Sequence, residues 1–349
     1  MDRFQRIIAR SPTLSAVAIR NAVFHDYLAL YRDAIRSTRY QELEDLQGPP
    51  YGDLAYGGAG TAYALWRLGE TRHAKTWINA VVADRRAVAI DVEIRRDARR
   101  SGLMFGRPGA RWVQAMITPA LASAYARALR TVELDEYGCG AAGHFTVAKL
   151  VPRDPMLARV IDRLGTRIVE RVRERSASPW QAEDATGFAH GWPGEVFAAL
   201  GHAPEEPWLL AAAARLAAAW TGVARPNFVA SWCNGAAGSL LLWVRTFTLG
   251  QQGLVMDVAR RTAEMALANR AGQLNLCCGD IGVAFALLAL DRIDPRGGWR
   301  KQARTIAARV IAAPRFHAPN GLFHGHPGLV CLALDLVGDQ ARGFPAVES

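Results

Sequence analysis

The segment WCNGAAGSLLLWVRTF, residues 232–247, contains the pattern that decides the fold, a G-x-x-G motif followed by an apolar run. The motif occurs seven times, as YGGAG (56–60), FGRPG (105–109), CGAAG (139–143), HGWPG (190–194), NGAAG (234–238), CGDIG (278–282) and HGHPG (324–328). Successive first glycines are 49, 34, 51, 44, 44 and 46 residues apart. One such motif is weak evidence, but recurrence at this period is the signature of a repeat architecture.

Each repeat has the composition of a helix pair. Apolar segments such as EVFAALG (195–201) follow the motifs and predict buried inner helices, whereas amphipathic, arginine-rich segments such as 155–176 predict outer helices with one wet face. About 44 residues hold two helices and two loops. We therefore expect an all-α protein, an α/α toroid of about seven inner and seven outer helices. It would form one domain of residues 1–349, with the repeats in 51–340 and a helical N-terminal segment, 1–50, of no assigned role.

The motif glycines are expected where loops crowd together at one end of the ring. Glycine allows close approach of two backbones and also permits positive φ. The N-termini of the inner helices, with their free N–H groups, would then point at one central cavity.

Composition excludes several classes of protein. With 50% hydrophobic and 21% charged residues over 349 positions, the chain is not disordered, fibrous or a disulfide miniprotein. No apolar run approaches the roughly 18–20 residues of a membrane helix, and the N-terminus does not resemble a secretory signal. We expect a cytoplasmic protein without membrane insertion and without nucleic acid. Its net charge of +10 would suit an acidic peptide.

The five cysteines suggest a metal site. Cys233 and Cys277 both lie two residues before a motif glycine, and Cys278 follows directly. Neighbouring repeats would thus bring three sulfurs together, a set that favours one zinc ion with an open coordination position. The alternative is that these are buried core cysteines. Cys139 precedes another motif glycine and could face the same rim, whereas Cys331 lies in an apolar segment typical of a core.

Three motifs carry a family resemblance: GFAHGWPG (187–194), WCNG (232–235) and CCG (277–279). With the sevenfold glycine pattern, they make the chain similar to the lanthionine synthetase C-like family, the lanthipeptide cyclases. The resemblance implies a double-layered α/α toroid with zinc at one end of its cavity. It also implies the addition of a peptide cysteine thiol to dehydroalanine or dehydrobutyrine, which forms a thioether ring.

The resemblance assigns roles to individual residues. Cys233 and Cys277 match the family's two cysteine ligands, and Cys278 stands where the usual third ligand is a histidine. His190 matches the family histidine near the zinc, which would donate a proton or stabilise the enolate oxygen.

Other family positions differ in this sequence. Glu136 occupies the slot of a family aspartate, with Asp135 beside it, and either could orient the histidine or transfer a proton. Val229 and Asn234 replace the arginine and tyrosine that the family often has near the zinc, and Arg225 is one candidate substitute for the arginine.

Three functions remain open at this stage. The first is a stand-alone cyclase that acts on a dehydrated precursor peptide and depends on a separate dehydratase, because the chain has no G-x-x-x-x-G-K-[ST] phosphate loop. The second is a relative that adds a small thiol such as glutathione to dehydrated residues. The third is a non-catalytic scaffold that binds peptide. His324 and His326 could line the cavity, but ordinary packing explains them as well, and Asp280 is expected as a helix N-terminal carboxylate.

Overall fold

A computed structural model describes residues 52–83, 102–132, 135–181, 184, 187–220, 229–250, 253–270, 272–312, 321–337 and 342–347. Regular structure in these ranges consists of 13 α-helices and two short 3₁₀ turns, with no strand. The all-α prediction is therefore confirmed. The N-terminal segment 1–50 and Arg225 lie outside the described residues.

The helices alternate between two layers. The inner helices are α1 (Gly58–Arg67), α3 (Arg107–Ile117), α5 (Ala141–Ala148), α7 (Trp192–His202), α9 (Ala236–Thr248), α11 (Asp280–Asp291) and α13 (His326–Val337). The outer helices in the described ranges are α2 (Thr71–Ala83), α4 (Ala122–Ala128), α6 (Pro155–Ser176), α8 (Pro207–Ala219), α10 (Gly253–Ala268) and α12 (Trp299–Ala312).

The burial of each helix follows its sequence pattern. Inner helix α11 is buried at every position from 280 to 290, because its sequence is apolar on all sides. Outer helix α6 buries one stripe that includes Leu157, Leu164 and Ile168 and exposes its arginine-rich face. It begins at Pro155, and the side chain of Asp154 caps it by accepting a hydrogen bond from the Leu157 N–H at 2.9 Å.

Backbone hydrogen bonds close the seven motif loops into a ring. We number loop positions back from the first motif glycine, so that position −1 directly precedes it. A backbone N–H at position −3 or −2 of each loop donates to the carbonyl at position −2 or −3 of a neighbouring loop. The bonds run Ala55 to Met104, Met104 to Gly138, Gly138 to Ala189, Ala189 to Cys233, Cys233 to Cys277, Cys277 to Phe323, and Phe323 to Ala55. Helix α13 also packs against α1. The ring closes on itself, which confirms the toroid.

The second glycine of each motif is needed for a close backbone contact. A Cβ atom on Gly109, Gly194 or Gly238 would lie 1.8, 2.0 or 2.1 Å from the carbonyl oxygen six residues earlier. The expectation of close approach is thus confirmed. Positive φ is not used at the first glycine, because that residue caps the helix in an extended conformation in six motifs. These glycines are Gly57, Gly106, Gly140, Gly191, Gly235 and Gly279, with φ between −115° and −145°.

The centre of the ring is filled by aromatic rings and by the C-terminal segment. The ring of Trp232 lies 5.0 Å from that of Phe323 and 5.2 Å from that of Phe344, measured between centroids. The Tyr137 hydroxyl donates to the carbonyl of Ala346 at 2.7 Å. Residues 342–347 therefore touch repeats far apart along the chain, which places this segment near the ring axis. Among the described helices, none combines the length and apolarity needed to cross a membrane.

Candidate metal centre

The side chains at positions −1 and −2 form one rim of the toroid. Position −1 carries Tyr56, Phe105, Cys139, His190, Asn234, Cys278 and His324. Several of them contact or influence one another: the ring of Tyr56 stacks on that of His324, and the Cys233 thiolate acts on both His190 and His324. Side chains that directly precede the glycines in different repeats are therefore brought close together in space.

Three sulfur atoms converge at this rim. The Sγ atoms of Cys233, Cys277 and Cys278, the three-cysteine cluster, all lie within 4.8 Å of one another. Sγ of Cys233 is 3.3 Å from Sγ of Cys278. The N–H of Cys233 donates to the carbonyl of Cys277 at 3.2 Å, so the hydrogen bond between the two loops also holds their sulfur atoms close together. Cys278 is partly exposed, whereas the other two are buried.

The surroundings of the cluster favour a bound cation. Hydrogen bonds from the Cys277 and Cys278 thiols, then from the Ser231 hydroxyl, lower the pKa of Cys233 against the opposing effect of burial. Hydrogen bonds with the Cys233 and Cys278 sulfurs, together with burial, raise the pKa of Cys277. The Asn234 side-chain amide also donates to Sγ of Cys233, at 3.6 Å. A thiolate is the form that binds zinc, and three soft ligands with one side open fit zinc rather than magnesium or calcium.

A histidine–glutamate pair lies beside the cluster. Nδ1 of His190 is 3.4 Å from Oε2 of Glu136. Burial by itself would lower the pKa of His190, but the hydrogen bond and charge of Glu136, with the charge of Cys233, raise it above its ordinary value. The imidazole side chain is still 38% exposed. It is thus an accessible group next to the sulfurs that can bind and release a proton.

The structure separates the two neighbouring carboxylates that the sequence could not rank. Asp135 is paired with Arg167 of α6 and lies 3.7 Å from Arg171 of the same helix, whereas Glu136 reaches His190. The carboxylate of Asp135 is thus held by arginines of the outer helix α6, and the contact with the imidazole of His190 is made by Glu136.

Two residues at the rim were missed or undervalued by the sequence analysis. The rings of Tyr56 and His324 stack in parallel, 4.0 Å apart. Burial, then the charges of Cys277 and Cys278, raise the pKa of Tyr56, so its phenol is influenced by the charges of the cluster. Burial lowers the pKa of His324 to about 4, so its imidazole is neutral near pH 7. The signal for Tyr56 was present in the sequence: it occupies position −1 of the first motif.

The remaining candidates lie where their sequence context suggested. Cys331 is fully buried in α13, as expected for a core cysteine. Asp280 lies in the first turn of α11 and pairs with Arg309. Val229 is close to the cluster in sequence and brings no charge to it; its carbonyl accepts from the N–H of Ala236 at 2.8 Å.

Comparison with known proteins gives two findings. The sequence model of a family described as "Lanthionine synthetase C-like protein" matches residues 155–349, more than half of the chain, including His190 and the three-cysteine cluster. Among solved structures, a nisin cyclase is similar to this chain with a TM-score of 0.47 and 11% sequence identity, over 89% of this chain and 82% of that one.

Proposed function

Because this chain belongs to the lanthionine synthetase C-like family, we propose that it is a zinc-dependent, stand-alone cyclase. Its substrate would be a dehydrated precursor peptide, whose cysteine thiols add to dehydroalanine or dehydrobutyrine to form thioether rings. The observation that carries this proposal is the three-cysteine cluster with the His190–Glu136 pair beside it on one accessible rim.

The three cysteines would hold the metal ion. Bound there, zinc would lower the pKa of an incoming substrate thiol and keep it as a thiolate near neutral pH. Cys233 and Cys277 are set by the backbone bond between their loops, and Cys278 completes the set from the exposed side. Three protein thiolates leave more negative charge at the site than two thiolates and an imidazole. A substrate thiolate bound beside them is therefore expected to be more electron-rich.

The His190–Glu136 pair supplies the proton that completes the addition. The substrate sulfur forms a bond to the β-carbon, the electron pair of the C=C bond moves to the α-carbon, and His190 protonates that carbon. The proton lost by the substrate thiol restores the imidazolium, so the reaction adds S and H across the double bond. Glu136 holds the imidazole and raises its pKa, which increases the fraction of His190 that is protonated near neutral pH.

Tyr56 is a candidate for the role of the arginine and tyrosine that the family often has near the zinc, which Val229 and Asn234 cannot take. Negative charge develops on the carbonyl oxygen of the dehydro residue during the addition, and a positioned hydrogen-bond donor would stabilise it. The phenol of Tyr56 stays protonated, because burial and the charges of the sulfurs raise its pKa. We include Tyr56 in the proposed site as that donor. Its ring is held in place by stacking against the ring of His324.

The proposal also includes the partners of the protein and its location in the cell. A separate dehydratase would supply the substrate, and a cytoplasmic location agrees with five free cysteines. An acidic leader on the peptide would complement the net charge of +10.

The first test is the zinc content of the purified protein beside a Cys278→Ala variant. We expect close to one tightly bound ion per chain, and a marked loss in the variant. A wild-type protein that takes up no zinc under reducing conditions would remove the basis for thiol activation and favour a peptide-binding scaffold.

The second test is cyclisation of a synthetic peptide that contains dehydroalanine and cysteine. Ring closure leaves the mass unchanged, so free thiols are counted by alkylation and mass spectrometry. We expect loss of free thiols with the wild-type protein and little loss with His190→Gln. A parallel peptide without cysteine is offered with glutathione. Addition to that peptide alone would instead assign the small-thiol reaction.

A further inference from the structure

A second group of metal-ligating side chains lies on the two loops that precede the three-cysteine cluster around the ring. Glu136 and Cys139 belong to the loop before α5, and His190 belongs to the loop before α7. One carboxylate oxygen, Sγ and one imidazole nitrogen lie within 4.8 Å of one another. A tetrahedral zinc ion at bond lengths of about 2.0–2.3 Å holds its ligands about 3.3–3.8 Å apart. Small side-chain movements would therefore bring all three onto one ion.

The backbone under this group is already fixed. The N–H of Gly138 donates to the carbonyl of Ala189 at 2.7 Å, one residue from Cys139 on one loop and from His190 on the other. A Cβ on Gly138 would lie 3.2 Å from the same carbonyl oxygen and 3.4 Å from Cε1 of His190. The two ligand-bearing loops are thus held against each other by the bond that also closes the ring.

The charges around the group favour a cation. Three carboxylates lie close together here, those of Asp135, Glu136 and Glu195. Two guanidinium groups of α6 face them: Arg167 pairs with Asp135, and Arg171 lies 2.6 Å from Glu195. The carboxylate of Glu136 lies beside the imidazole of His190, with Oε2 3.4 Å from Nδ1. Its carboxylate oxygen also lies within 4.8 Å of Sγ of Cys139, so it can serve as an anionic ligand beside both residues.

We propose that Glu136, Cys139 and His190 form a second site for a divalent, thiophilic metal ion such as Zn²⁺, separate from the three-cysteine cluster. The set of one sulfur, one nitrogen and one oxygen is a zinc set, and three protein ligands leave a position open for water. On binding, the ion replaces the proton of the Cys139 thiol and, where the His190 imidazole is protonated, the proton on its ligating nitrogen; both protons are released to solvent. Because only one thiolate takes part, this site binds more weakly than the three-cysteine cluster.

Occupation of the second site has a consequence for activity that rests on the proposed function. An ion on His190 and Glu136 removes the proton donor and its partner from the cyclisation site. Zinc in excess of the first ion therefore inhibits ring closure. The enzyme would be active with one ion and inactive with two.

The binding is tested without peptide, so that its outcome is independent of the cyclase proposal. Zinc is titrated into reduced, metal-stripped full-length protein against a chromophoric chelator, and Co²⁺ is titrated in parallel. We expect the wild-type protein to bind two ions in sequence, one strongly and one weakly. With Co²⁺, the first ion gives an intense thiolate-to-metal absorption band and the second adds only a small increment.

Two variants locate the second ion. Cys139→Ala is expected to lose the weak ion and keep the tight one. Cys331→Ala also removes a buried thiol, but from the interior of α13, and is expected to keep both. If Cys139→Ala does not fold, as judged by circular dichroism, Glu136→Gln takes its place and is expected to weaken the second ion at least tenfold. The proposal is overturned by a wild-type protein that saturates at one ion, or by a folded variant of Cys139 or Glu136 whose second ion binds as in the wild type.

Inhibition is measured afterwards, with each protein compared with its own rate at limiting zinc. Wild-type and Cys331→Ala proteins are expected to lose at least tenfold in rate when the second ion binds, whereas Cys139→Ala loses none. If the protein binds two ions but does not cyclise the peptide, the proposal of a second metal site stands and only the cyclase proposal is overturned. Equal inhibition of all three proteins would overturn the regulatory role.

Discussion

Removal of the Phe344 side chain is expected to destabilise the whole ring, although this residue is near the C-terminus. Phe344 has no exposed surface, and its ring lies 5.2 Å from that of Trp232 and 5.4 Å from that of Phe285. Trp232 also contacts aromatic rings of other loops and directly precedes Cys233. Phe344 thus fills the space where inner helices from different repeats meet.

The size of the effect follows from this packing. Truncation of a buried phenylalanine to alanine costs about 3–5 kcal/mol through lost transfer free energy and the cavity that remains. Aromatic pairs contribute about 0.5–1.5 kcal/mol beyond buried area, and Phe344 makes such contacts with Trp232 and Phe285. We therefore expect Phe344→Ala to lower the free energy of unfolding by about 4 kcal/mol or more, a large part of the usual total of about 5–15 kcal/mol.

Urea unfolding followed by far-UV circular dichroism measures this loss. Leu254→Ala is the matched control, because Leu254 is 52% exposed on the outer helix α10 and its truncation should change stability by no more than about 0.5 kcal/mol. The near-UV spectrum of Phe344→Ala should also weaken, because the central aromatic rings lose a fixed neighbour. A Phe344→Ala protein within about 1 kcal/mol of wild type, with an unchanged urea dependence, would refute the reasoning that the C-terminal segment holds the centre of the ring.

Three further predictions concern the proposed chemistry. Glu136→Gln removes the charge that raises the pKa of His190. The acid form acts below its pKa, so the alkaline limb of the cyclisation pH profile should move to lower pH. Asp135→Asn, which alters the arginine-bound carboxylate, should leave the limb in place, and the reverse result would contradict the assignment. Cys278→His should cyclise more slowly or more selectively than wild type, and equal rates with equal ring patterns, read by tandem mass spectrometry, would refute the charge argument. Tyr56→Phe should reduce the rate constant of cyclisation about 100-fold if the phenol stabilises the enolate oxygen; an unchanged rate assigns Tyr56 to packing with His324.

The toroid and the three-cysteine cluster were predictable because both depend on positions within the repeat. Cys233 and Cys277 share position −2, and a ring in which each loop bonds to the next brings equal positions of neighbouring repeats together. The glycine pattern was informative for a steric reason. A Cβ on Gly238 would lie 2.1 Å from a carbonyl oxygen, so no other residue fits without a backbone shift.

Other features depend on contacts that the repeat does not encode. Asp135 and Glu136 are neighbours in sequence, and their different partners are decided by Arg167 on an outer helix. The contact between Phe344 and Trp232 joins distant parts of the chain and follows no periodicity. Tyr56 could have been identified from the sequence, since it occupies position −1. A single tyrosine before a glycine does not indicate chemistry, however, until the closed toroid is known.

The ring separates packing from chemistry by position in the loop. All seven residues at position −3 are completely buried: Leu54, Leu103, Tyr137, Phe188, Trp232, Leu276 and Leu322. Positions −3 and −2 supply the backbone bonds between loops, and positions −2 and −1 carry side chains toward the rim. A change at position −1 therefore alters the chemistry without removing a ring bond or a core residue. This explains how Cys278 can stand where the resemblance leads one to expect a histidine. It also means that Cys278→His should unfold at nearly the same urea concentration as the wild type, so that any difference in cyclisation reports the ligand set and not the stability of the toroid.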